Sequence, residues 1–321
     1  MPPHPILAVD LGGTRLRVAL VADGVVLARS SALTDPRGPE AVVAQIQDLA
    51  RALVDDSGRD RFDHHSPTAI AVAAPGPLDP ATGTMHALPN LPGWEGFPLG
   101  PALAEAIGLP AFVHNDASLA ALGEARRGAG RGARLMVYLT ISTGIGGGIV
   151  AGGRLLEGAH GLAGELGHVV VRLGSSARCG AGHAGCLEAL ASGTAIARAA
   201  AERRARGEPT VLGAEADAAA VAAAARAGDA LACSVYERAA ADLGIALAGF
   251  VNAFDPDVVV LGGGVALGAW DLLASGALRA ATPTIMAPGA RSWRLVPAAL
   301  GDDAGLVGAA EWAAAQSQAR G

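Results

Sequence analysis

Two stretches of the chain share one pattern of hydrophobic and polar positions. The apolar segment Ile6–Asp10 leads into the glycine pair of Leu11–Thr14, and apolar residues then alternate with polar ones over Leu16–Leu20. This pattern predicts a strand, a glycine turn and a second strand. The segment Leu135–Ile141 repeats the plan and is followed by the glycine-rich Ser142–Gly148 and a further apolar pair. Two hairpins of the same design predict that each opens one of two related domains.

The rest of the pattern alternates between helical spacing and short apolar runs. Apolar residues three or four positions apart predict helices, and short apolar runs bounded by Gly or Pro predict buried strands. Helices are predicted over 40–54, 117–125, an Ala-rich region at 188–227, 236–250 and 305–315, and strands over 69–73, 111–113 and 257–261. The Gly-, His- and Cys-rich stretch Gly158–Gly185 is predicted to be irregular. Strands that alternate with helices indicate an α/β fold.

Composition and charge exclude several classes of protein. The 321 residues are 51% hydrophobic and 17% charged, as in soluble globular proteins, and no apolar run reaches the roughly 18 residues of a membrane-spanning helix. Three Cys are too few for a secreted disulfide framework, and the N-terminus has no signal-peptide pattern. The net charge of -6 argues against nucleic-acid binding, which requires surplus positive charge. We therefore expect a cytoplasmic protein with neither a membrane nor a nucleic-acid partner.

Every basic residue of the chain is Arg, because the sequence contains no Lys. Walker phosphate loops, the ATP-binding lysine of protein kinases and pyridoxal Schiff bases all require the lysine amine. The sequence therefore excludes those three mechanisms. The length predicts two domains, at roughly 100 to 200 residues each.

Three glycine-rich turns follow predicted strands, at Asp10–Arg15, Thr143–Gly148 and Gly262–Gly264. Glycine turns allow backbone amides to approach anionic oxygens, and Asp10 could hold a metal ion or its waters. Each turn alone could equally be an ordinary glycine hairpin or strand end. Three together favour a nucleotide with several phosphates. None has the Rossmann spacing of glycines with a later acidic residue.

The sequence His114-Asn115-Asp116 lies between a predicted strand and a predicted helix. Polar side chains at this position project from the carboxyl end of a sheet. Asp116 could act as a general base that accepts a hydroxyl proton during phosphoryl transfer, with Asn115 orienting the same substrate. The alternative is that Asp116 or Asn115 is simply the N-cap of the helix.

A second polar set contains Glu165, His168 and Glu188 among small residues. Carboxylates that accept hydrogen bonds from hydroxyls suit a sugar site, and solvation at the surface is the alternative. His168 is also a metal candidate, with Cys179, His183 and Cys186, because two Cys and two His can form a closed tetrahedral zinc site. The alternative for this set is that the Cys are small buried hydrophobic residues and His183 belongs to a loop.

Taken together, these motifs resemble the ROK family (repressors, open reading frames and kinases), and within it the bacterial glucokinases. The resemblance covers almost the whole chain. Its motifs are the segments 10–14, 74–79, 90–94, 115–117, 143–148, 165–168, 186–188 and 255–264. It implies a two-domain actin-like ATPase fold, of the ribonuclease H-like class, with an interdomain cleft. We expect a smaller α/β domain over residues 1–117, joined by a C-terminal helix at about 303–318, and a larger one over 118–302.

The resemblance also assigns roles to individual residues. It implies an ATP-dependent hexokinase that transfers phosphate to the 6-hydroxyl of glucose with Mg²⁺, with Asp116 as the base. The implied sugar-binding residues are Asn90, Asn115, Glu165, His168 and Glu188. The implied nucleotide and magnesium residues are Asp10, Gly12, Gly13, Thr14, Thr143, Gly144, Gly262 and Gly263. A homodimer or higher homo-oligomer is expected by resemblance.

One departure concerns the zinc motif of the family, a Cys-x-Cys pair followed by Gly-x-x-Gly-Cys. Ala177 occupies the first Cys position, and the interval from Cys179 to Cys186 is two residues longer than usual. His183 falls within that insertion, so we expect it to replace the missing thiolate in a structural Zn²⁺ site.

Two rival functions belong to the same family. An N-acetylhexosamine kinase, for N-acetylglucosamine or N-acetylmannosamine, is compatible with the loop from Asn90 to Trp94. A sugar-responsive transcriptional regulator is disfavoured, because only nine residues precede Asp10 and leave no room for a helix-turn-helix domain.

Overall fold

The computed structural model describes residues 4–56, 66–86, 93–287 and 292–320. Its first half alternates strands with helices. The elements in chain order are β1 (Ile6–Leu11), β2 (Arg15–Ala22), β3 (Val25–Leu33), α1 (Pro39–Asp56), β4 (Ile70–Ala74), β5 (Leu78–Asp79), β6 (Thr84–Met85), α2 (Leu99–Ile107), β7 (Ala111–Asn115) and α3 (Asp116–Arg127).

The second half repeats the strand hairpin and then becomes mainly helical. Its elements are β8 (Leu135–Ile141), β9 (Ile145–Ala151), β10 (Arg154–Leu155), α4 (Leu187–Ala191), α5 (Gly193–Ala205), α6 (Ala218–Arg226), α7 (Ala230–Phe254), β11 (Val258–Gly262), α8 (Gly264–Gly268), α9 (Trp270–Ala281), β12 (Arg294–Pro297) and α10 (Ala304–Arg320). Among the described residues, short 3₁₀ turns lie at Leu166–His168, Thr282–Thr284 and Gly301–Asp303.

The chain divides into two compact units. The first contains residues 1–132, 153–163 and 302–321, and the second contains 133–152 and 164–301. Helix α3 and the segment 153–163 thus belong to the first unit, whereas the expectation from sequence divided the chain at residue 117.

The first unit is built on one mixed sheet with the strand order β3-β2-β1-β4-β7. Strands β1, β4 and β7 are parallel, whereas β2 is antiparallel to β1 and β3 is antiparallel to β2. Alternate residues of β1 point to opposite faces, as the period of a strand requires. Leu7 and Val9 pack with helices α1 and α2, whereas Ile6 and Ala8 pack with α3 and α10. The sheet is therefore covered by helices on both faces.

The second unit repeats this topology around the strands β9-β8-β11-β12. Strands β8 and β9 form an antiparallel hairpin, and β11 and β12 run parallel to β8. Long helix α7 packs closely against α9, and a core of mainly Val, Leu, Ile and Ala side chains joins these helices to the sheet. The two hairpins predicted from sequence thus open two sheets of one design, and the predicted α/β fold is confirmed.

No single helix among the described residues has both the length and the apolar composition to cross a membrane. Helices α6 and α7 meet that criterion only when taken together, and they are bent by 115°.

Candidate functional site

In the first unit, the predicted catalytic and phosphate-binding residues share one edge of the sheet. Asp10 lies near the carboxyl end of β1, and Asn115 ends β7, with the parallel strand β4 between them. Asp10 is in register with Ala73, which is in register with His114. Because neighbouring strands are about 4.8 Å apart, the backbones of Asp10 and His114 are separated by about 10 Å across the sheet. The carboxyl ends of parallel strands are where α/β sheets bind ligands.

The first glycine turn is closed by backbone bonds. The amide of Gly12 donates to the carbonyl of Arg15 at 2.9 Å, and the Thr34 hydroxyl donates to the carbonyl of Gly12 at 2.7 Å. Gly13 and Thr14 are exposed at the tip of the turn. Their amides and the Thr14 hydroxyl therefore lie where an anionic ligand could approach.

Asp10 is held by the residue opposite it in the hairpin. Arg17 donates to Asp10 Oδ2 at 2.6 Å and reaches the exposed Asp302 at 3.4 Å. Burial raises the pKa of the Asp10 carboxyl above its usual value, although Arg17 acts in the opposite direction. Oδ1 lies beside Gly305, whose missing side chain leaves space at this oxygen. Asp10 thus keeps one carboxylate oxygen that Arg17 does not bind.

Asn115 and Asp116 form the start of α3. Asn115 is the N-cap, because its Oδ1 accepts the Ser118 amide at 3.0 Å, so the capping alternative holds for this residue. Asp116 is the first residue of the helix, and its Oδ1 accepts the amide of Ala117 at 2.7 Å. A carboxylate at a helix N-terminus is stabilised in its charged form by the helix dipole. The start of α3 therefore presents a carboxylate, the type of group that can act as a general base.

The second unit contains a cavity of about 810 Å³ beside the second glycine turn. Ser142 and Thr143 line it, together with Gly193 and Thr194 at the N-terminus of α5. The positive end of a 13-residue helix and the neighbouring backbone amides suit phosphate groups. Seven alanines of α5, α6 and the loop before α6 form a large part of the remaining wall. The cavity is large and apolar enough for a nucleoside.

Sequence reasoning missed most of this wall. Val265 and Gly264 of α8, Arg198 of α5 and Glu215 of the loop before α6 also line the cavity. The Ala-rich composition of 195–222 was the available signal, since small side chains leave room between helices. Among the predicted nucleotide residues of the second unit, Thr143 lines the cavity and the three glycines do not.

Those three glycines lie where a side chain would meet neighbouring parts of the chain. A side chain at Gly262 would overlap the hydroxyl of Tyr138, and one at Gly263 would overlap the carbonyl of Ile141. Gly263 also has φ of +86°, a conformation that favours glycine. At Gly144, a Cβ would lie 2.6 Å from Glu188 Oε2. These glycines shape the loops next to the cavity.

The predicted sugar and metal residues of the second unit meet at His168. Its Nε2 faces Glu165, 3.8 Å from Oε2, and its Nδ1 faces Cys179 Sγ at 3.8 Å and His183 Nδ1 at 3.4 Å. One side chain therefore presents one nitrogen to each predicted set. Glu188 is tied to the second glycine turn instead, because its Oε2 accepts the amide of Ile145 at 2.9 Å.

A tight hairpin brings the thiols and histidines together. The amide of Cys179 donates to the carbonyl of His183, and the amide of Gly182 donates to the carbonyl of Cys179. Ligand atoms of His168, Cys179 and Cys186 lie within 4.8 Å of one another. Burial raises the pKa of the Cys186 thiol. The remaining predicted sugar residue, Asn90, lies outside the described residues.

Comparison with known proteins identifies the family. A model described as the ROK family matches residues 6–316. The chain belongs to the ROK family. The glucokinase of Halalkalibacterium halodurans is 38% identical to it over an alignment of 312 positions that covers 94% of this ROK chain and 92% of that enzyme. The bifunctional enzyme NanE/NanK of Brucella melitensis is 39% identical over an alignment of 319 positions that covers 98% of this chain and 54% of that one.

Solved structures of the family have the same fold. A ROK hexokinase from Thermus thermophilus superposes with a TM-score of 0.82 at 39% identity, covering 98% of this chain and 99% of that one. A ROK glucokinase from Streptomyces griseus, in complex with glucose and AMPPNP, gives a TM-score of 0.79 at 32% identity, covering 96% and 98%. The predicted two-domain actin-like ATPase fold is thereby confirmed.

Proposed function

We propose that this ROK protein is an ATP-dependent hexokinase that phosphorylates the 6-hydroxyl of glucose. The observation that carries the proposal is the nearly full-length likeness to glucokinases, one of them bound to glucose and AMPPNP. The site supplies matching chemistry, a carboxylate at the start of α3 and a cavity of nucleotide size beside a helix N-terminus.

In this proposal Asp116 accepts the proton of the 6-hydroxyl while the hydroxyl oxygen attacks the γ-phosphorus of ATP and ADP leaves. Asn115, Glu165, His168, Glu188 and Asn90 would bind the sugar hydroxyls. The cavity at Thr143 would take the adenosine and phosphates, with Gly144, Gly262 and Gly263 shaping its loops. Gly12, Gly13 and Thr14 would bind phosphate oxygens through amides and a hydroxyl.

Mg²⁺ would be held at Asp10, whose Oδ1 is not bound by Arg17. A carboxylate oxygen is the type of ligand that this hard cation prefers. When bound, the ion neutralises charge that develops on the phosphates. Because the chain has no Lys, we infer that the metal supplies most of the positive charge opposite the triphosphate.

The second candidate is N-acetylmannosamine phosphorylation, favoured by the likeness to the NanE/NanK enzyme. A coupled ADP assay with glucose, mannose, N-acetylglucosamine and N-acetylmannosamine distinguishes the two candidates. We expect the highest kcat/KM with glucose and ATP. Polyphosphate is tested as an alternative donor by direct measurement of the sugar phosphate, because that donor releases no ADP. Higher kcat/KM with an N-acetylated sugar would replace the first candidate, and no turnover with any sugar would reject both. The cytoplasmic location and the homo-oligomer stay predictions.

We also propose a structural zinc site made by His168, Cys179, His183 and Cys186. Two thiols and two imidazoles are a donor set that zinc prefers. A tetrahedral ion with Zn–N distances of about 2.0–2.1 Å keeps two nitrogens about 3.3–3.4 Å apart. The Nδ1 atoms of His168 and His183 are 3.4 Å apart, which fits this arrangement. Because His168 would use Nδ1 for the metal, its Nε2 stays available to Glu165 and the sugar.

Removing His183 is expected to weaken zinc retention. Wild-type protein purified without chelator should contain about one zinc ion per chain by elemental analysis. The His183→Ala variant should lose zinc to a chromogenic chelator at least about tenfold faster, because a three-ligand site is open to the competitor. His86→Ala, at an exposed histidine outside the cluster, is the matched control. Wild-type protein without zinc would reject the site, and equal loss rates would remove His183 from it.

A further inference from the structure

His114 is a buried, titratable side chain next to the proposed base, and the proposed reaction gives it no role. It lies on β7 directly before Asn115 and Asp116, and only 2% of it is exposed. Its Nδ1 accepts the backbone amide of Asn115 at 2.8 Å. An accepting Nδ1 carries no proton, so the proton of the neutral imidazole is on Nε2.

Nε2 points towards one carboxylate. It lies 3.4 Å from Oε1 of Glu157, in the same unit, but without the alignment of a formed hydrogen bond. Among the described residues, this nitrogen is a buried side-chain atom without a hydrogen-bond partner. The adjacent His114 imidazole, as a donor group and a possible positive charge, is the main reason that the pKa of the Glu157 carboxyl is lowered. A buried donor without a full bond costs stability, so its retention at this position needs a reason.

The reason we suggest lies in three successive bonds at the end of β7. The His114 side chain accepts the amide of Asn115. The Asn115 side chain accepts the amide of Ser118, and the Asp116 side chain accepts the amide of Ala117. Together these bonds hold the backbone from the end of β7 into the first turn of α3. The imidazole is itself held, because its ring packs edge-on against Trp312 with centroids 4.8 Å apart.

We propose that His114 is a positioning residue for Asp116, held in its accepting tautomer by Glu157. The proposal rests on the proposed role of Asp116 as the base. Nδ1 fixes the peptide that leads into α3, and the Glu157 carboxylate faces the Nε2 proton. A small displacement of a general base has a large effect on rate, because proton transfer needs a narrow range of distance and angle.

Two substitutions separate positioning from packing. In His114→Phe the ring on Trp312 is kept and both nitrogens are lost. In His114→Asn the Oδ1, which like Nδ1 is bonded to Cγ, can still accept the amide of Asn115, but a void is left. Positioning predicts that kcat falls roughly three- to tenfold in the Phe variant and is largely restored in the Asn variant. Glucose affinity and the KM for ATP should stay within about twofold of wild type.

Thermal stability should follow the opposite order. The Phe variant fills the site and removes the unpartnered nitrogen, whereas the Asn variant leaves a void and should melt lower. If His114 only supported the fold, kcat would follow stability and the Asn variant would be the slower one; that result overturns the proposal. His160→Phe, at another histidine of the segment 153–163, is the control and should keep wild-type kcat.

The tautomer itself can be measured on wild-type protein. Long-range ¹H–¹⁵N correlation spectra should assign the His114 proton to Nε2, and a proton on Nδ1 would also overturn the proposal. Failure of the proposed base would be seen separately, as near-normal turnover in Asp116→Asn. Loss of turnover in Asp116→Asn together with unchanged kcat in His114→Phe would reject only the role of His114.

Discussion

Replacement of Asp116 by Asn is expected to lower kcat by about 10²- to 10⁴-fold with little change in glucose affinity. The amide has the shape of the carboxylate and can still accept the Ala117 amide through Oδ1, so the start of α3 should remain intact. It cannot accept the proton of the sugar hydroxyl. Steady-state kinetics in the coupled ADP assay and calorimetric titration with glucose measure the two quantities.

The wide range reflects the chemistry of phosphoryl transfer. In a loose transition state the proton leaves late, so a base contributes less than it does in a tight one. Asp48→Asn, at an exposed carboxylate of α1, is the matched control and should be indistinguishable from wild type. A kcat for Asp116→Asn within about tenfold of wild type would remove Asp116 from the role of base.

The sequence predicts the frame of the fold well where periodicity and glycine coincide. Strands β1 and β8 end within one residue of the predicted positions. Each is followed by a glycine-rich turn, and the turn ends the strand. Strand β3 was missed, since its short apolar start at Val25–Ala28 is followed by Arg29, Ser30 and Ser31 and none of its residues is fully buried. The helices α2 and α9 were missed as well.

The Ala-rich region shows why composition alone is insufficient. It was predicted as helical from residue 188 to 227, but the structure divides it into α4, α5 and α6. Ser192 and Asp217 cap the second and third of these by accepting amides three residues ahead. Alanine favours helix equally at every position, so the breaks are determined by the capping residues and by Gly207 and Pro209. The cavity between these helices could not be predicted because it depends on how they pack.

The site was predictable in its parts but not in its arrangement. The sequence assigned His168 to both a sugar set and a metal set. The structure gives a physical reason why both can hold, since its two nitrogens face different groups. Sequence spacing could not predict that the side chain of Glu188 would bind the backbone of Ile145, because the two lie 43 positions apart and meet only in the folded unit.

Substitution of Gly308 by Ala is expected to destabilise the protein by at least about 3 kcal/mol. Gly308 lies on α10 where that helix crosses α3, and a Cβ there would overlap the carbonyl oxygen of Leu119. Gly123 faces it from α3, where a Cβ would lie 2.5 Å from the carbonyl oxygen of Ala304. The clash is between backbones, so a rotamer change cannot relieve it. Urea unfolding followed by circular dichroism measures the loss.

The expected change in stability has the opposite sign to that at an ordinary helix position, where Gly→Ala stabilises the protein by about 0.5–1 kcal/mol. Gly249 is such a position, because it is exposed on α7 and a Cβ there meets nothing within 4 Å, so Gly249→Ala is the matched control. Arg126 and Arg127 both bind Glu311, which ties the end of α3 to α10 and opposes their separation. Because α3 begins at Asp116, any separation that does occur should also lower kcat. Equal or greater resistance to urea in Gly308→Ala would show that the two helices can move apart without loss, and α10 would then have no part in positioning the base.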